Sequence, residues 1–516
     1  MTALPRLRRL AAVRRAAGLI ALLAVALVAV RADGAVLRFR FGVAAGEVGQ
    51  GSAILWTRAP RPGAVQLQVS SSKAFRPVLR RVTARALPEN DLTVQVPVSK
   101  LAARTRYWYR FVQAGASSPV GVFETPPPAT ADAKARFALS GDADATPKEN
   151  GQPGFNHFEV YGRMAAEGND FNVNLGDTIY SDSELPGSKP ALTVAQKWEK
   201  YRLGLALHSL RRLRAATGLY SQWDDHEFIN DFSRPDNGES LYQAGMKAFR
   251  DYSPVTYSPD LGLYRSVRWG KNLELFFLDE RSFRSAKASK ACHGDLAPTA
   301  PQSVRNAFVS LAPQLASPVA PGCLAAIDDP ARTMLGAAQY AAFTQAIQAS
   351  TATFKVVVNE VPIQQYYALP YDRWEGYAAE RERLLRFLQA NVKNVVFLTT
   401  DAHASLINEI RYQTLGTVEG SGMWEVVTGP VATGTFAKEI DGFLHAPSAA
   451  AFIGSLFFKP APPTGMGMPC AALDVYSYAE VSVTSKTLTV TPKDAQGRPV
   501  REQTGSACAP LVVQAR

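Results

Sequence analysis

The sequence predicts an α/β fold preceded by a small β-sandwich, and three observations predict it. Residues from about 36 to 125 form short β-rich runs broken by Pro and Gly, such as "AILWTRA" from Ala53 and "RYWYRFVQ" from Arg106. A proline-rich break, "TPPPATADAKA" from Thr125, follows. Beyond it, apolar runs that end in ionisable residues alternate with helical patterns, the signature of an α/β domain with buried sheets.

The elements follow in order. Five arginines between Arg6 and Arg15 precede a 15-residue apolar run, residues 16–30, with small-residue cleavage sites near Ala32. Residues 1–35 therefore read as a secretory signal; the run is short for a membrane span, which is the competing reading. Two Arg-Arg pairs admit a twin-arginine route beside the general one. A periplasmic or secreted protein with no permanent membrane span is expected. In 36–125 the aromatics of "RYWYRFV" alternate with polar residues, as on a half-buried strand. Three consecutive prolines make residues 126–134 a stiff linker, which leaves 135–516 as the second domain.

Within that domain "RFALSGDAD", "DFNVNLGD", "LYSQWDDHE", "LELFFLDERSF", "FKVVVNEVP" and "NVVFLTTDAHAS" each read as a strand running into polar residues. "FNHFEVYGRMAAEG" and "WEGYAAERERLLRFLQAN" read as helices, and the segment near 479–500 as a hairpin. Residues 286–335 are irregular and read as a disulfide-held insertion. The cysteines are Cys292, Cys323, Cys470 and Cys508. Of the three pairings, the local one (292 with 323, 470 with 508) is preferred, because each pair brackets a loop-rich segment.

Composition narrows the function. The chain of 516 residues is 47% hydrophobic and 20% charged, with a net charge of +11. Much of that excess sits in the leader. No basic stripe with interleaved aromatics occurs, so nucleic-acid binding as the main role is excluded.

The chemistry lies at the strand ends. They carry Asp142 and Asp144, then Asp177 and Tyr180, then Asp224, Asp225, His226 and Glu227, then Asp279 and Arg281, then Asn359 and Glu360, then Asp401 and His403. One acid at a strand end is ordinarily a helix cap. Six such ends brought together repel one another unless a multivalent cation sits among them. Hard oxygen ligands suit Ca²⁺, Mg²⁺, Mn²⁺ or Fe³⁺. A pair of cations activates water and neutralises the oxygens of a phosphate ester. Arg281 adds a guanidinium for phosphate.

These segments resemble the alkaline phosphatase D (PhoD-like) family of the metallophosphoesterase superfamily. "RFGVAAGEVGQGSAILWTRA" is similar to its N-terminal domain; "NLGDTIYSD", "QWDDHEFIND", "FLDERSFR" and "LTTDAHAS" resemble its catalytic motifs in order. The resemblance implies an αββα sandwich catalytic domain after the β-sandwich. It implies an exported phosphatase acting on phosphomonoesters, phosphodiesters or both, small or lipid, and Ca²⁺ with Fe³⁺ as cofactors. Matching the motifs puts Asp142, Asp177, Tyr180, Asp225, Asn230, Asp401 and His403 on the metals, with Asp177 bridging. His226 then stabilises the transition state or protonates the leaving oxygen, beside Arg281. Gly141 stands where some members have a cysteine ligand, and Thr400 where many have glycine. A monomer is expected. A phospholipase D-like diesterase and a non-catalytic calcium-binding extracellular module are the alternatives.

Overall fold

The computed structural model describes residues 37–415 and 419–516; the leader read at 1–35 lies outside the described residues. Two sheets carry the fold. The first has nine strands, and its centre is a parallel trio, Ala135–Ser140, Phe171–Asn174 and Gly218–Ser221. The second has seven, with Leu273–Phe277, Phe354–Val358 and Val395–Thr399 in parallel at its centre. Parallel pairing sends every one of these strand ends toward the same edge of its own sheet.

Alternation decides what each strand touches. Phe137, Leu139, Phe171 and Val173 meet Phe277, Val356, Leu398 and Val426 in one core between the sheets. Ala138 and Leu219 face outward, onto helices Glu159–Met164, Val194–Ala206, His208–Ala216 and Glu239–Tyr252. Phe276, Val357 and Phe397 face outward from the second sheet, onto Gly336–Ala349 and Ala378–Asn391. The layers are therefore helix, sheet, sheet, helix, as the resemblance implied.

The N-terminal strands divide between two sheets. Gly63–Ser70, Val78–Ala86, Arg106–Gln113, Ala116–Ser117 and Gly121–Glu124 form a five-stranded sheet. Val43–Gly46, Ala53–Arg58 and Thr93–Val98 instead extend the nine-stranded sheet, through a parallel bridge from Ala45 to Gly218. Leu55 and Val96 pack with Leu67 and Phe111, so the sandwich shares one of its faces with the larger sheet. Residues 126–134 carry no helix or strand.

Two expectations shift. The helix read over 155–168 spans only Glu159–Met164, because Asn156 folds its side chain onto the amide of Phe158, and Phe158 takes a left-handed φ of 59°. The helix read from Trp374 opens as a 3₁₀ turn and becomes α-helical at Ala378. The tail hairpin is present as Ser477–Val483 and Thr487–Asp494, and it joins the nine-stranded sheet beside Ala135–Ser140. Both disulfides have the local pairing, and the 286–335 segment holds only short helices.

Candidate metal centre

The turn after Phe171–Asn174 begins with Gly176, whose φ of 123° suits glycine alone; a Cβ there would lie 2.7 Å from that of Asp224. The next residue, Asp177, is itself left-handed at φ 49°. Asp142 (62°), Asp401 (68°) and His403 (49°) share that unfavourable region. Four candidate ligands in sparsely populated backbone are a mark of a site rather than of packing.

Backbone bonds lock the loops together. The amide of Ala143 donates to Asp177 O at 2.9 Å and that of Ser181 to His226 O at 3.0 Å. Glu227 fastens the same two loops by accepting from the amides of Thr178 (2.6 Å) and Asp224 (2.9 Å).

Three groups of potential ligand atoms result, each with all its atoms within 4.8 Å of one another: Asp142, Asp177 and His403; Asp177, Asp225 and His226; Asp225, Asp231 and Asp372. Asp177 belongs to the first two and Asp225 to the last two, so the groups form a chain. The cluster of Cys470, Glu502 and Cys508 is no fourth site, since its sulfurs are spent in a disulfide.

Tyr180 is buried between the first two groups. Its hydroxyl lies 3.0 Å from His403 Nε2, and its ring stacks on His226 with centroids 3.9 Å apart. Each histidine has a carboxylate behind it: Asp182 at 2.7 Å from His226 Nδ1 and Glu439 at 2.6 Å from His403 Nδ1. A carboxylate in that place accepts a hydrogen bond from Nδ1–H and leaves Nε2 turned to the cluster.

The electrostatics are those of crowded acids. Burial, followed by the charges of Asp225, Asp224, Glu227 and Asp142, pushes Asp177 well above the carboxylate range. Burial lifts Asp142 to about 6, and burial with Asp372 lifts Asp401 to about 7. Burial and the same acids raise the Tyr180 phenol. Burial alone would lower the histidines, yet Asp225 and Asp182 carry His226 to about 9, and Glu439 carries His403 to about 10. Oδ1 of Asp142 and Oδ2 of Asp224 are buried with no hydrogen-bond partner. Carboxylate oxygens left without donors in such a field fit a hard cation.

Not every expected residue enters a group. Asp401 is partly buried at the edge of the site, close to Asp372, Arg373 and Arg281. Asn230 is exposed at the rim, with its backbone amide on Asp182 at 2.9 Å. Arg281 is fully buried, its Nε on Asp224 at 2.5 Å and its Nη1 on Asp372 at 2.8 Å, while its Nη2 has no hydrogen-bond partner. Asp144 caps a turn, accepting from Thr146 and Ser183. Asp231, Asp372 and Glu439 were not read as site residues. Asp231 lies next to Asn230 in "HEFIND"; Asp372 lies on a loop and Glu439 on the helix Phe436–Phe443, neither with a strand-end signal.

The helix–sheet–sheet–helix fold, with acids gathered at its strand ends, is of the metallophosphoesterase type. The family model described as PhoD-like phosphatase matches residues 149–456, more than half of the chain, and the model of its N-terminal domain matches 25–127. The chain belongs to the PhoD-like phosphatase family. It is similar to alkaline phosphatase D of Bacillus subtilis (strain 168), 27% identical over 413 residues that cover 71% of this chain and 64% of that one. The chain thus spans just under two thirds of that relative. Its fold matches that of a solved PhoD, with a TM-score of 0.71 at 22% identity over 93% of this chain and 90% of that one. A purple acid phosphatase, PPD1 from yellow lupin (Lupinus luteus) seeds, shares the fold at a TM-score of 0.52 and 10% identity, over 92% and 73% of the two chains.

Proposed function

We propose that the chain is an exported, metal-dependent phosphatase that hydrolyses phosphomonoesters, phosphodiesters or both. The observation that carries this reading is Asp177, one carboxylate common to two ligand groups beside the unpartnered Oδ1 of Asp142. Export is supported by two disulfides, which persist in oxidising compartments. Residues 36–125 would be the N-terminal lobe, 126–134 the linker and 135–516 the catalytic domain, working as a monomer.

Asp142, Asp177, His403 and Tyr180 would hold one ion, and Asp177 and Asp225 a second, with Asn230 and Asp401 at the rim. Ca²⁺ and Fe³⁺ are the proposed pair, the phenol of Tyr180 suiting the more Lewis-acidic ion. Bound there, such ions lower the pKa of water and offset charge on the phosphate oxygens. The chain does the rest. His226, held cationic by Asp182, has an Nε2 proton to give to the departing oxygen. Glu439 keeps His403 in one tautomer. Arg281 holds Asp224 and Asp372 in place through Nε and Nη1, and its unpartnered Nη2 would remain for the phosphate. Among the described residues, no helix is long and apolar enough to cross a membrane.

The test is hydrolysis of 4-nitrophenyl phosphate and bis(4-nitrophenyl) phosphate by the purified chain, as isolated, after EDTA and after Ca²⁺ is restored. Hydrolysis that chelation abolishes and Ca²⁺ restores supports the reading. Hydrolysis indifferent to chelation, or none with Ca²⁺ and iron supplied, overturns it.

A further inference from the structure

A cavity of about 140 Å³, open on one side to solvent, lies against the metal centre and is walled almost wholly by carbon. One part of the lining comes from the segment between Cys292 and Cys323, through Val304, Phe308, Leu311 and Leu315; another comes from Ile440 and Phe457. Protein interiors pack to the density of organic crystals, so an open, carbon-lined space of this size is not ordinary core.

The cavity is tied to the centre by chain connectivity. Ala402, which lines it, stands between Asp401 and His403. Phe436, which also lines it, donates its amide to His403 O at 2.9 Å and begins the helix that carries Glu439. At the same junction Arg373 lines the cavity with its Nε buried and without a partner, while its charge acts on Asp401. A cation, an unused donor and an apolar chamber thus meet beside the acid cluster.

The rim is apolar too. Leu369 is 43% exposed, Phe443 57%, Phe452 41% and Leu456 42%. Phe452 packs edge-on against Phe308, and Leu456 lies on the outer side of the segment whose Phe457 lines the cavity. Large apolar side chains gathered in water around one opening mark a surface that receives an apolar ligand.

We infer that this cavity seats the apolar arm of an amphiphilic phosphate ester, with Arg373 Nε donating to the phosphate and an alkyl or acyl chain lying between the insertion and the Phe436–Phe443 helix. The inference rests on the phosphoesterase reading of the neighbouring centre and narrows its substrates to esters that carry a hydrocarbon chain. It also gives the insertion a purpose: the Cys292–Cys323 bond closes the segment that supplies one wall.

The test uses methylphosphonate and octylphosphonate, whose carbon–phosphorus bonds a phosphatase leaves intact, titrated calorimetrically as monomers into the Ca²⁺-supplied protein. Each buried methylene strengthens binding roughly fourfold, so octylphosphonate should bind at least ~100-fold more tightly with only part of its chain enclosed. Ala312→Phe and Ile440→Trp, which fill the cavity from two of its lining segments, should each collapse that ratio, with melting temperature as the check on folding. Probes bound within threefold of each other, or a ratio that survives both substitutions in folded protein, overturn the inference. Hydrolysis of 4-nitrophenyl phosphate, run alongside, separates the two readings. Turnover without chain-length preference removes the cavity's role alone, and preference without turnover removes the phosphatase reading alone. Sedimentation with phosphatidic acid vesicles then tells a membrane lipid from a dissolved amphiphile.

Discussion

Thr400 and Gly141 stand at the ends of two different strands, and the structure brings them together. A Cβ on Gly141 would lie 3.0 Å from Thr400 Cγ2, so the threonine fills the space that a larger side chain at 141 would need. The Thr400 hydroxyl lies 2.5 Å from Asp142 Oδ2 and 2.8 Å from Thr428 O. An ionised carboxylate is the stronger acceptor, so Thr400 orients a metal ligand. Thr400→Val should raise the Ca²⁺ concentration for half-maximal activity about 10- to 100-fold, and Thr400→Ser should restore it; unchanged Ca²⁺ dependence in the valine variant would refute this role. At this scale the strand-end residues were legible, because an acid after an apolar run is visible in one dimension. Glu439 and Asp372 were not, since one reaches the site from the helix Phe436–Phe443 and the other from a distant loop, and only the fold brings them near. Arg281 was visible, but its partners were not: Asp224 and Asp372 stand 57 and 91 residues away along the chain.

At the scale of elements, one aspartate fastens the N-terminal strands to the catalytic helices. Asp91 accepts from Arg58 at the end of Ala53–Arg58 (2.8 Å), from Arg202 on Val194–Ala206 (2.5 Å) and from Tyr252 at the end of Glu239–Tyr252. Burial pushes its carboxyl up, but the bonds from Arg58, Tyr252 and Arg202 outweigh it, and the net pKa lies below 3.8. A depressed carboxylate pKa contributes stability above the unfolded value and loses it as pH falls through the folded one. Asp91→Asn should therefore cost about 2 kcal/mol at pH 7. Denaturant unfolding should show the gap between variant and wild type closing as pH falls below 3.8. A gap of equal size at pH 7 and at acid pH would show that charge is not its source. The strands themselves were legible from alternation and turn residues. Their allocation was not: Ala45 pairs with Gly218 across 173 residues of chain, and local pattern does not report which distant strand completes a sheet edge.

At the scale of the whole molecule, two sheets aim their parallel strands at one cluster of acids, and the cost of crowding those acids is the reason to expect cations. Family resemblance supplied the layer order, and the period-2 distribution of Phe137, Ala138 and Leu139 between two cores supplies its physical basis. The most direct measurement is metal content by elemental analysis of the wild-type chain and of Asp177→Asn, both purified in the folded state. A shared carboxylate predicts ~2 ions or more per chain in the wild type and the loss of both together in the variant, along with activity. An Asp177→Asn chain that keeps its full metal content and its hydrolytic activity would contradict the account.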